Sequence, residues 1–223
     1  MSRMMIISAA VAVLGLGAYF VTSPSPNQVT PVDPLGAANA QEAGDVDTSS
    51  IVDMTQGNPD APVTVIEYAS YTCPHCARFH EGAYKQLKTD FIDTGKINFV
   101  YREVYFDRYG LWASMIARCA GTPEAFFGMS DLIYKGQSTW ARAGEPAAIV
   151  DELRKIGLLA GLDAETMEAC LQDSDKARTL VAWYQENATE DGIDSTPSFV
   201  INGKKYSNMS YDEMAGIINE LAN

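Results

Sequence analysis

The chain has 223 residues, 47% of them hydrophobic and 20% charged, a globular balance and not a disordered one. Sixteen Lys and Arg against 29 Asp and Glu leave a net charge of −13, which removes any general attraction for nucleic acid or anionic lipid. Four cysteines are too few for a disulfide-framework miniprotein, and the length suits one domain with a real core.

Residues 1–22 read as a signal peptide or an N-terminal membrane anchor. Arg3 is followed by a run without charge from Met4 to Val21. As a helix that run reaches about 27 Å, slightly short of the hydrocarbon core at about 30 Å. Pro24 disfavours cleavage after Ser23, and Ala38-Asn39-Ala40 lies far downstream, so the balance tips toward an uncleaved anchor. No Lys or Arg follows Arg3 until Arg78, the asymmetry that keeps an N-terminus inside and sends the rest across. Export to the periplasm is therefore expected. Residues 23–47, rich in Pro, Ala, Gly, Asn and Asp, read as a flexible spacer.

Val63–Ala69 is β-rich and mostly apolar, a buried strand. From Cys76, the spacing of Phe79, Ala83, Leu87 and Phe91 predicts one long helix, with Arg78, Glu81, Lys85 and Lys88 facing water. Thr94-Gly95 ends it, and Ile97–Tyr101 is a second strand. Strand, helix and strand in so short a stretch predict a βαβ unit with parallel strands. A helical block follows. Its segments are Leu111–Ala120, a helix opened by Thr122-Pro123 and running to about Lys135, Glu145–Leu159, a short helix from Asp163 to Leu171, and one from Asp173 onward. Ser198–Ile201, the turn Asn202-Gly203 and Lys204–Tyr206 form a hairpin. A last helix from about Ser210 to Leu221 points Tyr211, Met214, Ile218 and Leu221 inward. This order describes an α/β, thioredoxin-like sheet with helices inserted between its halves, over about 108–190.

The sharpest feature is Cys73-Pro74-His75-Cys76, where the first strand gives way to the helix. Free N–H groups and the positive dipole end of a helix start favour a thiolate on Cys73. Pro74 suits the first turn, and a protonated His75 adds positive charge beside the sulfur. The spacing lets the two sulfurs close a small ring, a redox-active Cys73–Cys76 disulfide. Three other readings compete. A structural disulfide across three residues constrains little chain. A zinc site drawing on Cys73, Cys76 and His75 or His80 lacks a second ligand pair. Haem attachment requires His at position 77, which is Ala.

The segment Val65-Ile-Glu-Tyr-Ala-Ser-Tyr-Thr-Cys-Pro-His-Cys76 and the segment Ser195-Thr-Pro-Ser-Phe-Val-Ile-Asn-Gly203, separated by a long helical stretch, resemble the DsbA family of thiol–disulfide oxidoreductases. The resemblance covers roughly residues 50–223, within a DsbA-like domain taken as 48–223. It implies that Cys73 and Cys76 are catalytic and that Pro197 is a cis-proline. It also implies that the backbone of Thr196 pairs with an unfolded substrate strand. Thr196 replaces the valine of the best-known family oxidases at a position that touches the sulfur pair. The family places a buried acid at the spacing of Glu67, where it would exchange a proton with Cys76 through water; the plainer reading is an acid at a strand edge with its head in water. His80 reads as a solvated helix residue, with proximity to the site as the alternative.

Cys119 and Cys170 remain. With export expected they pair as a structural disulfide between the first and fourth inserted helices, worth ~4 kcal/mol in the chain-entropy account. A second redox pair is the alternative. The expected function is a periplasmic dithiol oxidase acting as a monomer on reduced, unfolded exported proteins. It needs no metal or other cofactor and is recharged by a DsbB-type, quinone-linked membrane partner. A reductase or isomerase on the same fold, and a peptide-binding or chaperone module without turnover, are the rivals. Isomerases usually carry a dimerisation domain, for which the spacer is too short and too polar.

Overall fold

The structure, a computed structural model, describes residues 46–222. The signal or anchor segment, and all of the spacer but its last two residues, lie outside the described residues. Five strands form one sheet in the order β1 (Met54–Gly57), β3 (Ile97–Glu103), β2 (Val63–Ala69), β4 (Ser198–Ile201) and β5 (Lys204–Ser207). β2 runs parallel to β3, and the other three pairings are antiparallel. β2 is thus central and hydrogen-bonded on both sides. Val63, Val65 and Ala69 face the main core, while Tyr68 faces a smaller cluster with Val104 and Val200 on the other side. β1 escaped the sequence reading because only one of its four residues, Met54, is buried, too little for a period of two to register.

The first helix is not continuous. α1 (Pro74–Glu81) stops at Gly82, whose φ of −120° and ψ of −90° are not helical. The chain resumes as α2 (Ala83–Leu87) and widens into a π-helical turn over Lys88–Ile92. A residue without Cβ tolerates this break, which lets Phe79 and His80 of α1, and Tyr84 of α2, all turn inward.

Between β3 and β4 lie α3 (Arg108–Cys119), α4 (Pro123–Trp140), α5 (Pro146–Leu159), α6 (Ala164–Gln172) and α7 (Ser174–Glu190). Local capping sets their starts. Asp107 accepts from the N–H groups of Tyr109 and Gly110, so α3 begins three residues before the expected Leu111. Thr122, Asp163 and Asp173 cap α4, α6 and α7. α4 continues past Lys135 because Gly136 is a packing glycine and not a stop; a Cβ there would lie 3.3 Å from Ile156 Cδ1 of α5. Cys119 and Cys170 are joined by a disulfide, which ties the end of α3 to α6.

In the β4–β5 hairpin Asn202 and Gly203 both have positive φ, 46° and 81°, as a two-residue turn of this hand requires. The Asn202 side chain also accepts from Thr64 N–H at 2.8 Å and donates to Pro62 O at 3.1 Å, fixing the turn to the start of β2. α8 (Tyr211–Leu221) opens with a Ser210–Glu213 capping box and buries Met214 and Ile218. Leu221, expected inside, is 42% exposed in the final turn, beyond the reach of the core.

Candidate active site at the start of α1

β2 ends at Ala69, still buried, and Ser70–Thr72 turn the chain into α1. Cys73 is the N-cap residue, with Pro74 in the first turn. The Cys73 sulfur is half-buried and lies 3.5 Å from the carbonyl oxygen of Thr196. The Thr196–Pro197 bond is cis. Cys76, one turn inward, is fully buried. Both are free thiols in this structure.

The two sulfurs differ sharply. A hydrogen bond from the Cys76 thiol holds the Cys73 pKa down at about 5, against the cost of burial. A side-chain bond from Thr196 and the backbone N–H groups of Cys76 and His75 act in the same direction. Burial pushes the Cys76 thiol far up, helped by the hydrogen bond to Cys73, the Cys73 charge and the Glu67 carboxylate. The pair therefore holds one thiolate, on the outer sulfur, and one proton, on the inner.

His75 follows Pro74 in the first turn of α1. Its side chain is exposed, and its Nδ1 accepts from Arg78 Nη2 at 2.8 Å. An arginine can only donate, so Nδ1 is the acceptor in this contact and the Arg78 guanidinium stands beside the ring. What His75 gives the thiolate directly is its backbone N–H.

Glu67 lies on the central strand, opposite Tyr101 on one side and Phe199 on the other, and is wholly buried. It is thus the buried acid that the resemblance implied, and not an acid at a strand edge with its head in water. Its two carboxylate oxygens lie 3.0 and 3.1 Å from Nε2 of His80. His80 is itself only 4% exposed and stacks on Tyr134 with centroids 4.3 Å apart. The reading of His80 as solvated is also corrected. Its position carried the signal, since His80, Ala83, Tyr84 and Leu87 fall on one apolar stripe.

Two further residues support the loop and were not singled out from sequence. Gln137 of α4 is buried and donates to the carbonyls of Tyr71 at 2.7 Å and of Cys73 at 2.9 Å. A polar residue on the stripe Ile133, Tyr134, Gln137, Trp140 was the available clue. Asp107 caps α3 with Oδ1 and takes the Thr72 hydroxyl on Oδ2 at 2.7 Å. The helical insert thus holds the active-site loop from two sides. Among the described residues no three His, Cys, Asp or Glu side chains lie together as metal ligands.

A strand that ends on a C-x-x-C helix, opposite a cis-proline loop, defines a thioredoxin-fold protein with an exchangeable thiol pair. The chain belongs to the thioredoxin family, whose profile matches residues 49–220. A Rickettsia bellii protein provisionally named a protein-disulfide oxidoreductase is 35% identical over 75% of this chain and 64% of its own. Disulfide bond formation protein D of Bacillus subtilis is 28% identical over 71% of this chain and 72% of its own. The crystal structure of α-DsbA1 from Wolbachia pipientis superposes with a TM-score of 0.71 at 27% identity, covering 76% of this chain and 90% of that one. The fold is therefore DsbA-like. This chain spans less than two thirds of the length of the Rickettsia relatives.

Proposed function

We propose that this protein is a thiol–disulfide oxidoreductase that oxidises exported proteins, with Cys73–Cys76 as its exchange pair. The carrying observation is the split between the sulfurs, a half-exposed Cys73 with a pKa of about 5 beside a buried Cys76 whose thiol is held protonated. In the oxidised enzyme a substrate thiolate attacks Cys73 Sγ. The Cys73–Cys76 bond breaks, Cys76 leaves with the electron pair and takes up a proton, and a mixed disulfide forms. A second substrate thiolate attacks the substrate sulfur of that bond. The substrate departs with its disulfide, and Cys73 leaves as the thiolate. A low pKa makes Cys73 a good leaving group, which favours this direction.

A depressed pKa stabilises the folded, reduced form fully above the unfolded thiol pKa of about 8.5, still largely at neutrality, and the effect is lost as pH falls through about 5. At neutral pH the reduced enzyme is favoured, so the disulfide is oxidising. Glu67, held by His80, acts on the inner thiol through its charge and serves its proton transfer. Thr196 and Pro197 present a backbone edge for substrate pairing. Recharging falls to a quinone-linked membrane protein of the DsbB type. The periplasm is the compartment, reached through the N-terminal segment. The supports for that are the uncharged run after Arg3 and the disulfide between Cys119 and Cys170.

Incubating a reduced, unfolded two-cysteine protein with the oxidised enzyme tests the reading. Stoichiometric transfer of one disulfide is expected, with Cys73 and Cys76 recovered as thiols; no transfer would leave only a peptide-binding role. His75→Ser is expected to raise the Cys73 midpoint above about 5, because Arg78 loses the ring that holds its charge near the first turn. Thiolate absorbance against pH reads it, and an unchanged midpoint would remove His75 from the tuning.

A further inference from the structure

A cleft of about 390 Å³ opens between α1 and the C-terminal half of α4. Thr72 and Pro74, the residues on either side of Cys73, both line it, whereas Thr196 and Pro197 do not. It is therefore a surface separate from the cis-proline edge, yet within one residue of the reacting thiol.

Three cations line this cleft: Arg78, Lys135 and Arg142. All three are exposed, and none has an ion-pair partner among the described residues. Elsewhere the common pattern is the opposite. Lys88, Arg102, Arg118, Arg154, Lys155, Arg178 and Lys205 each sit against a carboxylate. Unpaired positive charge has thus collected beside the active site of a chain that is −13 overall. Two carboxylates also reach the cleft. Asp107 is fully engaged by two backbone N–H groups and the Thr72 hydroxyl. Glu81, the last residue of α1, is left to offset three cations.

We propose that this cleft binds an acidic side chain of the substrate polypeptide, within a few residues of its reacting cysteine. The proposal rests on Cys73 being the exchanging thiol and adds a substrate preference to it. Complementary charge is the recognising chemistry. A carboxylate in the cleft takes charge-assisted hydrogen bonds from a guanidinium or an ammonium, and Gln137 keeps the cleft wall and the Cys73 carbonyl in one rigid unit. The cations are solvent-exposed, so the gain is modest and screened by salt.

The test uses the oxidised protein and two peptides, each with one cysteine. One has Asp two residues from the cysteine, and the other has Asn there. Rates of mixed-disulfide formation are measured at low and high salt. The acidic peptide is expected to react about two- to fivefold faster at low salt, and the advantage should shrink as salt rises. In Lys135→Gln/Arg142→Gln the ratio of the two rates should fall toward one. Equal rates for both peptides in the unaltered protein would overturn the proposal, as would an undiminished ratio in the double variant. A protein that reacts with neither peptide would refute the exchange reading itself, and this preference with it.

Discussion

Cys73→Ser is expected to reduce thiol–disulfide exchange to the uncatalysed background, whereas Cys76→Ala is expected to trap it halfway. The two results differ because the sulfurs have different tasks. Cys73 is the exposed partner, with its thiolate stabilised to a pKa of about 5, and no other described free thiol reaches solvent beside the Thr196 carbonyl. Without it nothing attacks or is attacked. Cys76 is buried and closes the ring from inside. In Cys76→Ala, Cys73 still forms a mixed disulfide with a small oxidant such as oxidised glutathione. No internal thiol then displaces it, so the adduct accumulates to about one per protein and is visible by mass. The Cys73 midpoint should also rise, since the largest influence lowering it is the hydrogen bond from Cys76. Rapid loss of the adduct in Cys76→Ala would mean that resolution proceeds by another route.

The second large effect concerns stability. Glu103 of β3 and Arg118 of α3 form a bidentate pair at 2.6 Å, with the side chains 1% and 4% exposed. Arg118 also donates to Val52 O at 3.1 Å and lies over the Trp183 ring at 5.2 Å. Removing one member of such a pair strands the other charge away from water. Arg118→Met leaves the Glu103 carboxylate its hydrogen bond from the Ser114 hydroxyl but no cation, and should cost about 3–5 kcal/mol. For a domain of this size that is a fall in Tm of about 6–20 °C. The double variant Glu103→Leu/Arg118→Met buries no stranded charge and should recover most of the loss. Thermal unfolding of the three proteins checks it; equal losses in the single and double variants would show that packing, not the charge, sets the cost.

Much of this molecule was legible in its residues, for reasons that can be named. Strong local chemistry was readable: Thr122-Pro123 as a helix start, Asn202-Gly203 as a turn, and Cys73-Pro74-His75-Cys76 at the end of a β-rich run. The parallel pairing of β2 and β3 followed from the helical spacing between them. Features set by tertiary contact were not readable. Gly82 interrupts a helix whose apolar spacing alone predicts continuity, and Gly136 sits inside one because α5 packs against it. The site was read best at its sulfurs and worst beneath them. Glu67 and His80 are 13 residues apart in sequence, and nothing local says that their side chains meet in the core. Gln137 reaches the Cys73 loop from a different layer of the fold, so only its place on an apolar stripe hinted at a partner.

The reduction potential of the Cys73–Cys76 pair as a function of pH tests the central claim most directly. With Cys73 as a thiolate above pH 5 and Cys76 protonated, reduction takes up one proton for two electrons, so the potential should change by about 30 mV per pH unit through neutrality. Below about pH 5 both sulfurs bind protons, and the slope should steepen to about 59 mV per unit. A poise more oxidising than that of thioredoxin, at about −270 mV, goes with the same account. A slope of about 59 mV per unit from pH 5 to pH 8, with a potential near that of thioredoxin, would contradict it. The outer sulfur would then be an ordinary thiol, and the protein would be poised as a reductase.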